Sequence, residues 1–110
     1  MTMKKCRITV LRRCEFPDLI KEYAKDGICP ACDVFQDGQE FILDWDSYSI
    51  QGIPAGFCTI AWDSMSQIIF SALATGVVID ADWVKDPKEQ IVCCPDGLRP
   101  VIFKVEAFEE

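Results

Sequence analysis

The chain has 110 residues, of which 50% are hydrophobic, and a formal net charge of −7 at pH 7. This length accommodates one domain with a modest hydrophobic core and leaves no room for a second. The net charge is opposite to the basic surface of proteins that bind nucleic acids or anionic membranes, so neither partner is expected. Because the chain has no histidine, Ser-His and Cys-His nucleophile pairs and histidine metal ligands are excluded.

The N-terminal residues indicate the cellular compartment. In residues 1–13 charged side chains interrupt the apolar ones, so the continuous apolar stretch of a signal peptide is missing. The longest nearly apolar run, Ile68–Ile79, is too short to span a bilayer. A cytoplasmic location is therefore expected. In that reducing compartment the seven cysteines are interpreted as thiols, metal ligands or catalytic groups before disulfides.

The first part of the chain predicts a strand, a helix and a strand. Residues Lys5–Leu11 alternate between apolar and polar side chains, which is typical of a half-buried strand. A helix is expected from residues 16–18 onwards, because proline and an acidic residue suit the first turn, and Gly27 provides a stop. The apolar residues of Glu40–Asp44 then predict a second strand after a glycine turn.

The second part predicts the main helix and a hairpin. Apolar residues between Ile60 and Leu73 recur at helical spacing, with Thr59 as the expected N-cap and Gly76 as the C-terminal stop. Residues Ile91–Cys94 and Pro100–Glu106 are predicted strands, joined by a Pro-Asp-Gly turn.

This order of elements predicts an α+β fold, a two-layer sandwich with two helices on a mainly antiparallel sheet. A ferredoxin-like arrangement is the alternative if residues Ser47–Ile53 supply a further strand. The stretch from Asp44 to Phe57 is the longest irregular segment, so it is the expected lid or binding loop.

Charge is unevenly distributed along the chain. Residues 1–25 contain seven Lys or Arg and three acidic residues, whereas residues 26–84 contain nine acidic residues and no Lys or Arg. The acidic middle is interpreted as a solvated face, as a partner for the basic N-terminal segment, or as a cation site at Asp44, Asp46 and Asp63. Because the charged segments are complementary and the apolar fraction is high, a homo-oligomer is expected.

The cysteines are the candidate chemical groups. Cys29-Pro30-Ala31-Cys32 has the C-x-x-C spacing, which lets two sulfurs bind one ion or form a short redox loop. With Cys58 and one of the adjacent Cys93 and Cys94, this pair makes a candidate thiolate set for zinc or iron, written as Cys29, Cys32, Cys58 and Cys94. Redox chemistry and simple packing remain as alternatives, since buried cysteines behave as small hydrophobic residues.

Five further residues are candidates for a small-ligand site: Trp45, Phe57, Trp62, Asp63 and Arg99. Arg99 can bind a carboxylate or phosphate, or it can pair with Asp96 across the hairpin turn. Asp63 can act as a base or cap the helix. The aromatic residues line a pocket, or they belong to the core or to oligomer contacts. Cys6 and Cys14 are assigned to packing.

Three motifs carry a resemblance to a known family. Residues Cys32–Phe41 read C-x-x-x-x-x-G-x-x-F, residues Pro54–Trp62 read P-x-G-F-C-x-x-A-W, and residues Cys94–Val101 read C-x-D-G-x-R-P-V. In these motifs the chain resembles a family of short prokaryotic proteins of unknown function. The resemblance implies no activity, but it implies that Cys32, Cys58 and Cys94 are the family's cysteines. It therefore favours a three-cysteine cluster, either as part of the core or as an open metal position.

The sequence therefore predicts a non-catalytic small-ligand-binding or interaction module with a cysteine cluster. A thiol redox or metal-binding protein is the alternative. No catalytic residue is assigned at this point, and the small ligand is not identified.

Overall fold

A computed structural model describes residues 2–110, and they form the predicted α+β fold. The strands are β1 (Lys4–Arg13), β2 (Glu40–Leu43), β3 (Glu89–Cys93) and β4 (Val101–Glu109), and the helices are α1 (Pro17–Tyr23) and α2 (Thr59–Thr75). The four strands make one antiparallel sheet in the order β2-β1-β4-β3. The two long strands therefore lie in the centre and the two short strands at the edges.

The alternation predicted for the first strand is confirmed. Cys6, Ile8 and Val10 are fully buried on the face of β1 that points into the core. A β-bulge after Val10 shifts the register between β1 and β4, so that Arg13 lies opposite Val101. An extra residue of this kind bends the strand and changes which side chains face each other.

Helix α2 covers one face of the sheet, where it contacts β1, β4 and β3. It ends as predicted at Gly76, whose φ of 79° is in the left-handed region that favours glycine. Its N-cap, however, is Cys58 and not Thr59, because Cys58 has extended backbone angles whereas Thr59 is already helical. Neither this helix nor α1, the α-helices of residues 2–110, combines the length and the apolar character needed to cross a membrane.

The long segment before α2 is helical where a further strand was considered. Residues Ser47–Gln51 form a turn of π-helix. Two reciprocal hydrogen bonds start this turn: the Ser47 N–H donates to Asp44 Oδ1 (2.8 Å), and the Asp44 N–H donates to Ser47 Oγ (3.0 Å). Such side-chain bonds to backbone groups compete with strand pairing. Residues 47–51 therefore form a helical turn and do not supply a further strand.

The sheet face opposite α2 carries paired charges. Arg7 forms ion pairs with Glu106 (3.1 Å) and Glu40 (3.8 Å), and its guanidinium lies 4.3 Å from the centre of the Phe108 ring. The basic first strand thus meets an acidic residue of the middle segment within one chain.

Candidate functional site

Most of the cysteines lie at one end of the sheet. The Cys94 N–H donates to Val101 O (3.1 Å), and Val101 lies opposite Arg13 of β1. The N–H of the next residue, Cys14, donates to Pro100 O (2.8 Å). Hydrogen bonds from Arg99 and Arg13 hold the C-x-x-C segment at the same end. We call this group of residues the cysteine end: Cys14, Cys29, Cys32, Cys93 and Cys94.

Arg99 connects the hairpin loop with the C-x-x-C segment. Its Nε donates to Asp96 Oδ2 (3.2 Å), which confirms the Asp96–Arg99 pair, and its Nη1 donates to Pro30 O (3.0 Å). The hydrogen bond with Asp96 is the main cause that raises the pKa of Arg99, and charge on Cys29 and Cys32 adds to this increase. The guanidinium therefore stays positive, and it binds the loop at Pro30, between Cys29 and Cys32 in the sequence.

Arg13 supports the C-x-x-C segment from the other side. Its Nη1 donates to Cys32 O (3.2 Å), and its Nε donates to Asp37 Oδ1 (3.2 Å). This role of Arg13 was not predicted from the sequence. No local pattern marks Arg13, because its position depends on the register of β1 against β4.

The seven cysteines are free thiols with different surroundings. Cys32, Cys58 and Cys94, the three implied by the resemblance, are partly buried and pack against the same hydrophobic core. The Cys94 Sγ also accepts a hydrogen bond from the Val101 N–H (3.3 Å). Cys29 is partly exposed on the loop. The C-x-x-C pair thus offers two partly accessible thiols, while the Cys94 sulfur has a structural contact.

The four cysteines predicted as zinc or iron ligands do not form a ligand set. Within residues 2–110, no group of three or more Cys, Asp or Glu side chains is placed so that it could hold a metal ion. A physical reason lies in Arg99, because its positive charge next to Cys29 and Cys32 opposes a second cation at the same position.

In the described part of the chain, the predicted cation site at Asp44, Asp46 and Asp63 does not form. The Asp44 carboxylate accepts the Ser47 N–H, and this hydrogen bond holds the pKa of Asp44 below its ordinary value. Asp46 and Asp63 are exposed. Within residues 2–110, these three carboxylates do not form a group that could hold a metal ion. Asp44 therefore serves to start the turn before α2.

The aromatic residues proposed to line a pocket are divided between core and surface. Phe57 and Trp62 are each 7% exposed, and the Phe57 ring lies 5.9 Å from the Phe103 ring. We therefore assign both residues to the core instead of to a pocket wall, because the aromatic cluster around Phe103 covers them. Trp45 is 45% exposed and lies on the surface beside Phe70 (5.7 Å between ring centres).

Cys6 differs from the residues of the cysteine end in its burial and in its reactivity. It is fully buried on β1, and its burial, with a smaller effect of Glu106, raises the pKa of its thiol to about 12. The thiolate is the reactive form of cysteine. At neutral pH Cys6 therefore stays a protonated, inert thiol.

We predict that alkylation of Cys6 requires unfolding. In native protein at pH 8, iodoacetamide should label Cys6 more slowly than Cys93, which is exposed, by a factor of about 10³ or more, the scale of an unfolding equilibrium constant. Peptide mass spectrometry after timed labelling measures both rates. Urea below the unfolding midpoint should accelerate labelling of Cys6 but not of Cys93. Equal rates in native protein would contradict this assignment.

Comparison with known proteins gives no match to a protein-family model, a curated protein or a solved structure.

Proposed function

We propose that this chain is a thiol–disulfide exchange protein and that Cys29 and Cys32 are the exchanging pair. The observation that carries the proposal is that two partly accessible thiols, at C-x-x-C spacing, flank the Pro30 carbonyl to which Arg99 donates a hydrogen bond (3.0 Å). A nearby cation attracts an anionic sulfur, and the thiolate is the nucleophile in disulfide exchange. Arg13 and Arg99 also bind the loop backbone, which keeps both thiols in place.

The exchange proceeds in two steps, the formation of a mixed disulfide and its resolution. The Cys29 thiolate attacks one sulfur of a partner's disulfide, the partner's S–S bond breaks, and its other sulfur leaves as a thiolate. The Cys32 thiolate then attacks the Cys29 sulfur of the mixed disulfide and releases the partner's second sulfur. The two protons lost from Cys29 and Cys32 are taken up by the released thiolates or by water. The pair is oxidised by two electrons, and the partner is reduced to a dithiol.

Cys29 is assigned the attacking role because it is partly exposed on the loop and does not pack against the hydrophobic core. Cys32, in contrast, packs against the hydrophobic core, and its backbone carbonyl accepts a hydrogen bond from Arg13. Cys32 therefore suits the role of the resolving thiol.

The other functions considered have less support. A zinc or iron protein would need a ligand set that residues 2–110 do not assemble. A small-ligand pocket lined by Phe57 and Trp62 would need two side chains that are buried in the core. Thiol exchange, in contrast, needs only the two cysteines and the cation beside them.

The proposal predicts a disulfide between Cys29 and Cys32 in glutathione redox buffers. Its midpoint potential should lie between about −270 and −120 mV, the range of known dithiol oxidoreductases. Mass spectrometry of acid-quenched, alkylated protein measures the oxidised fraction at each buffer ratio. Cys32→Ser should accumulate a mixed disulfide with glutathione at Cys29, because the resolving thiol is missing.

A matched control is Cys93→Ser, which removes an exposed thiol of the same end of the sheet. This variant should keep the Cys29–Cys32 disulfide and its potential. The proposal is overturned if no Cys29–Cys32 disulfide forms across the whole range of buffers. It is also overturned if glutathione attaches to Cys93 as readily as to Cys29 in the Cys32→Ser protein.

A further inference from the structure

The outer edge of β3 has backbone groups that the sheet does not use. The Cys94 N–H donates to Val101 O and the Ala107 N–H donates to Lys88 O, so the even-numbered residues from Lys88 to Cys94 bond to β4. In an antiparallel pair the residues between them turn their backbone groups to the other side. These outward-facing residues are Glu89, Ile91 and Cys93. The Glu89 N–H already donates to Asp86 O (3.1 Å), and the Val78 and Ile79 N–H groups donate to Pro87 O, so the chain itself covers the edge before Glu89. Since β3 is an edge strand, the Glu89 carbonyl and the outward groups of Ile91 and Cys93 are open to a further strand.

We propose that a second copy of this chain pairs with β3 at this edge, antiparallel to it and related by a two-fold axis at Ile91. In this register Ile91 pairs with its own copy, and Glu89 lies opposite Cys93 of the other chain. The N–H and C=O groups of Ile91, the Cys93 N–H and the Glu89 C=O then find partners, while the Glu89 N–H keeps its bond to Asp86 O. No like charges face each other, whereas an axis at Glu89 would oppose two carboxylates.

Two prolines restrict the strand to this register. Pro87 and Pro95 lie at equal distances on either side of Ile91. A shift of the axis by one residue places one of these prolines opposite Glu89 or Cys93. Because proline has no N–H, the shifted pair loses a hydrogen bond. With the axis at Ile91, a second copy of the strand places no proline opposite Glu89 or Cys93, so the strand is complementary to itself in this register.

The surface beside this edge also carries exposed apolar side chains that a second chain can bury. Ile91 is 55% exposed on the sheet face opposite α2, and Trp83 is 82% exposed. Both residues line a groove of about 290 Å³ between the segment before β3 and the strand. Burial of these apolar side chains by a second chain is favourable, in addition to the backbone hydrogen bonds. The proposal does not involve Cys29 or Cys32, so it is independent of the proposed function.

A cross-linking experiment tests the register. In the Cys29→Ser/Cys32→Ser background, Glu89→Cys places a thiol opposite Cys93 of the other chain. Hydrogen-bonded antiparallel pairs have Cα atoms about 5.5 Å apart, and disulfides span about 4.4–6.8 Å. Mild oxidation should therefore convert most of the protein to a covalent dimer on a non-reducing gel. The matched control, Glu89→Cys with Cys93→Ser, should stay monomeric on the same gel.

A second variant tests the association without any disulfide. Ile91→Pro removes an N–H that points away from β4, so the chain keeps its own hydrogen bonds and its far-ultraviolet circular dichroism. Wild-type protein and Ile91→Val should sediment at twice the 12.4 kDa chain mass, whereas Ile91→Pro should sediment as a monomer. A wild-type protein that stays monomeric at high micromolar concentration would overturn the proposal. Equal cross-linking with and without Cys93 would overturn the register.

Discussion

Phe35→Ala is expected to lower the free energy of unfolding by about 3–5 kcal/mol, the usual cost of removing a fully buried phenyl ring. Phe35 is 1% exposed, and its ring packs edge-on against Phe57 and Phe103, with ring centres 5.1 Å apart in both pairs. Removing the ring leaves a cavity between the loop, the N-terminal approach to α2 and β4. Urea unfolding followed by tryptophan fluorescence measures the change.

Phe35 also anchors the C-x-x-C loop, because it follows Cys32 by three residues. Phe35→Leu keeps most of the apolar volume and should cost less than half as much as the alanine variant. Phe41→Ala is the matched control, since this ring is only partly buried, although it contacts Phe35. If Phe41→Ala destabilises the protein as much as Phe35→Ala does, the assignment of Phe35 as the central anchor is wrong.

The second expected result concerns Arg99, which should accelerate the chemistry of the loop thiols. Arg99→Gln should slow alkylation of Cys29 by up to about fivefold, because a charge pair in direct contact contributes about 1 kcal/mol in water and a more distant pair contributes less. Stopped labelling with iodoacetamide at pH 7, followed by peptide mass spectrometry, measures the rate. High salt should slow the wild-type reaction towards that of the variant, since ions screen exposed charges.

Arg12→Gln is the matched control for this experiment. It removes the same charge from an exposed position on β1, next to Arg13, and should leave the rate at Cys29 unchanged. Equal slowing by Arg12→Gln would point to the net charge of the protein instead of to Arg99. Faster alkylation in Arg99→Gln would mean that the arginine mainly shields the loop, and the proposed role would be wrong.

The elements with a clear periodicity could be predicted from the sequence. The alternation in β1 and the helical spacing in α2 both reflect one buried face, and burial repeats with the geometry of the backbone. Gly76 ends α2 as predicted for a local reason, its left-handed backbone. The boundaries of elements and the irregular segment were harder to predict. Helix α2 begins one residue earlier than expected, since Cys58 and not Thr59 is the extended N-cap residue. Residues near Ser47 formed a turn through hydrogen bonds with Asp44.

The candidate site could be predicted only in part, because some of its contacts join segments that are far apart in the sequence. The C-x-x-C pair of Cys29 and Cys32 is visible along the chain because its spacing is local. Arg13 and Arg99, which hold the loop, come from segments far apart in the sequence. They meet through the bulged register of β1 and β4, and no short pattern encodes that register. The residue types available for chemistry could thus be read from the chain, whereas long-range strand pairing determined which of them are neighbours.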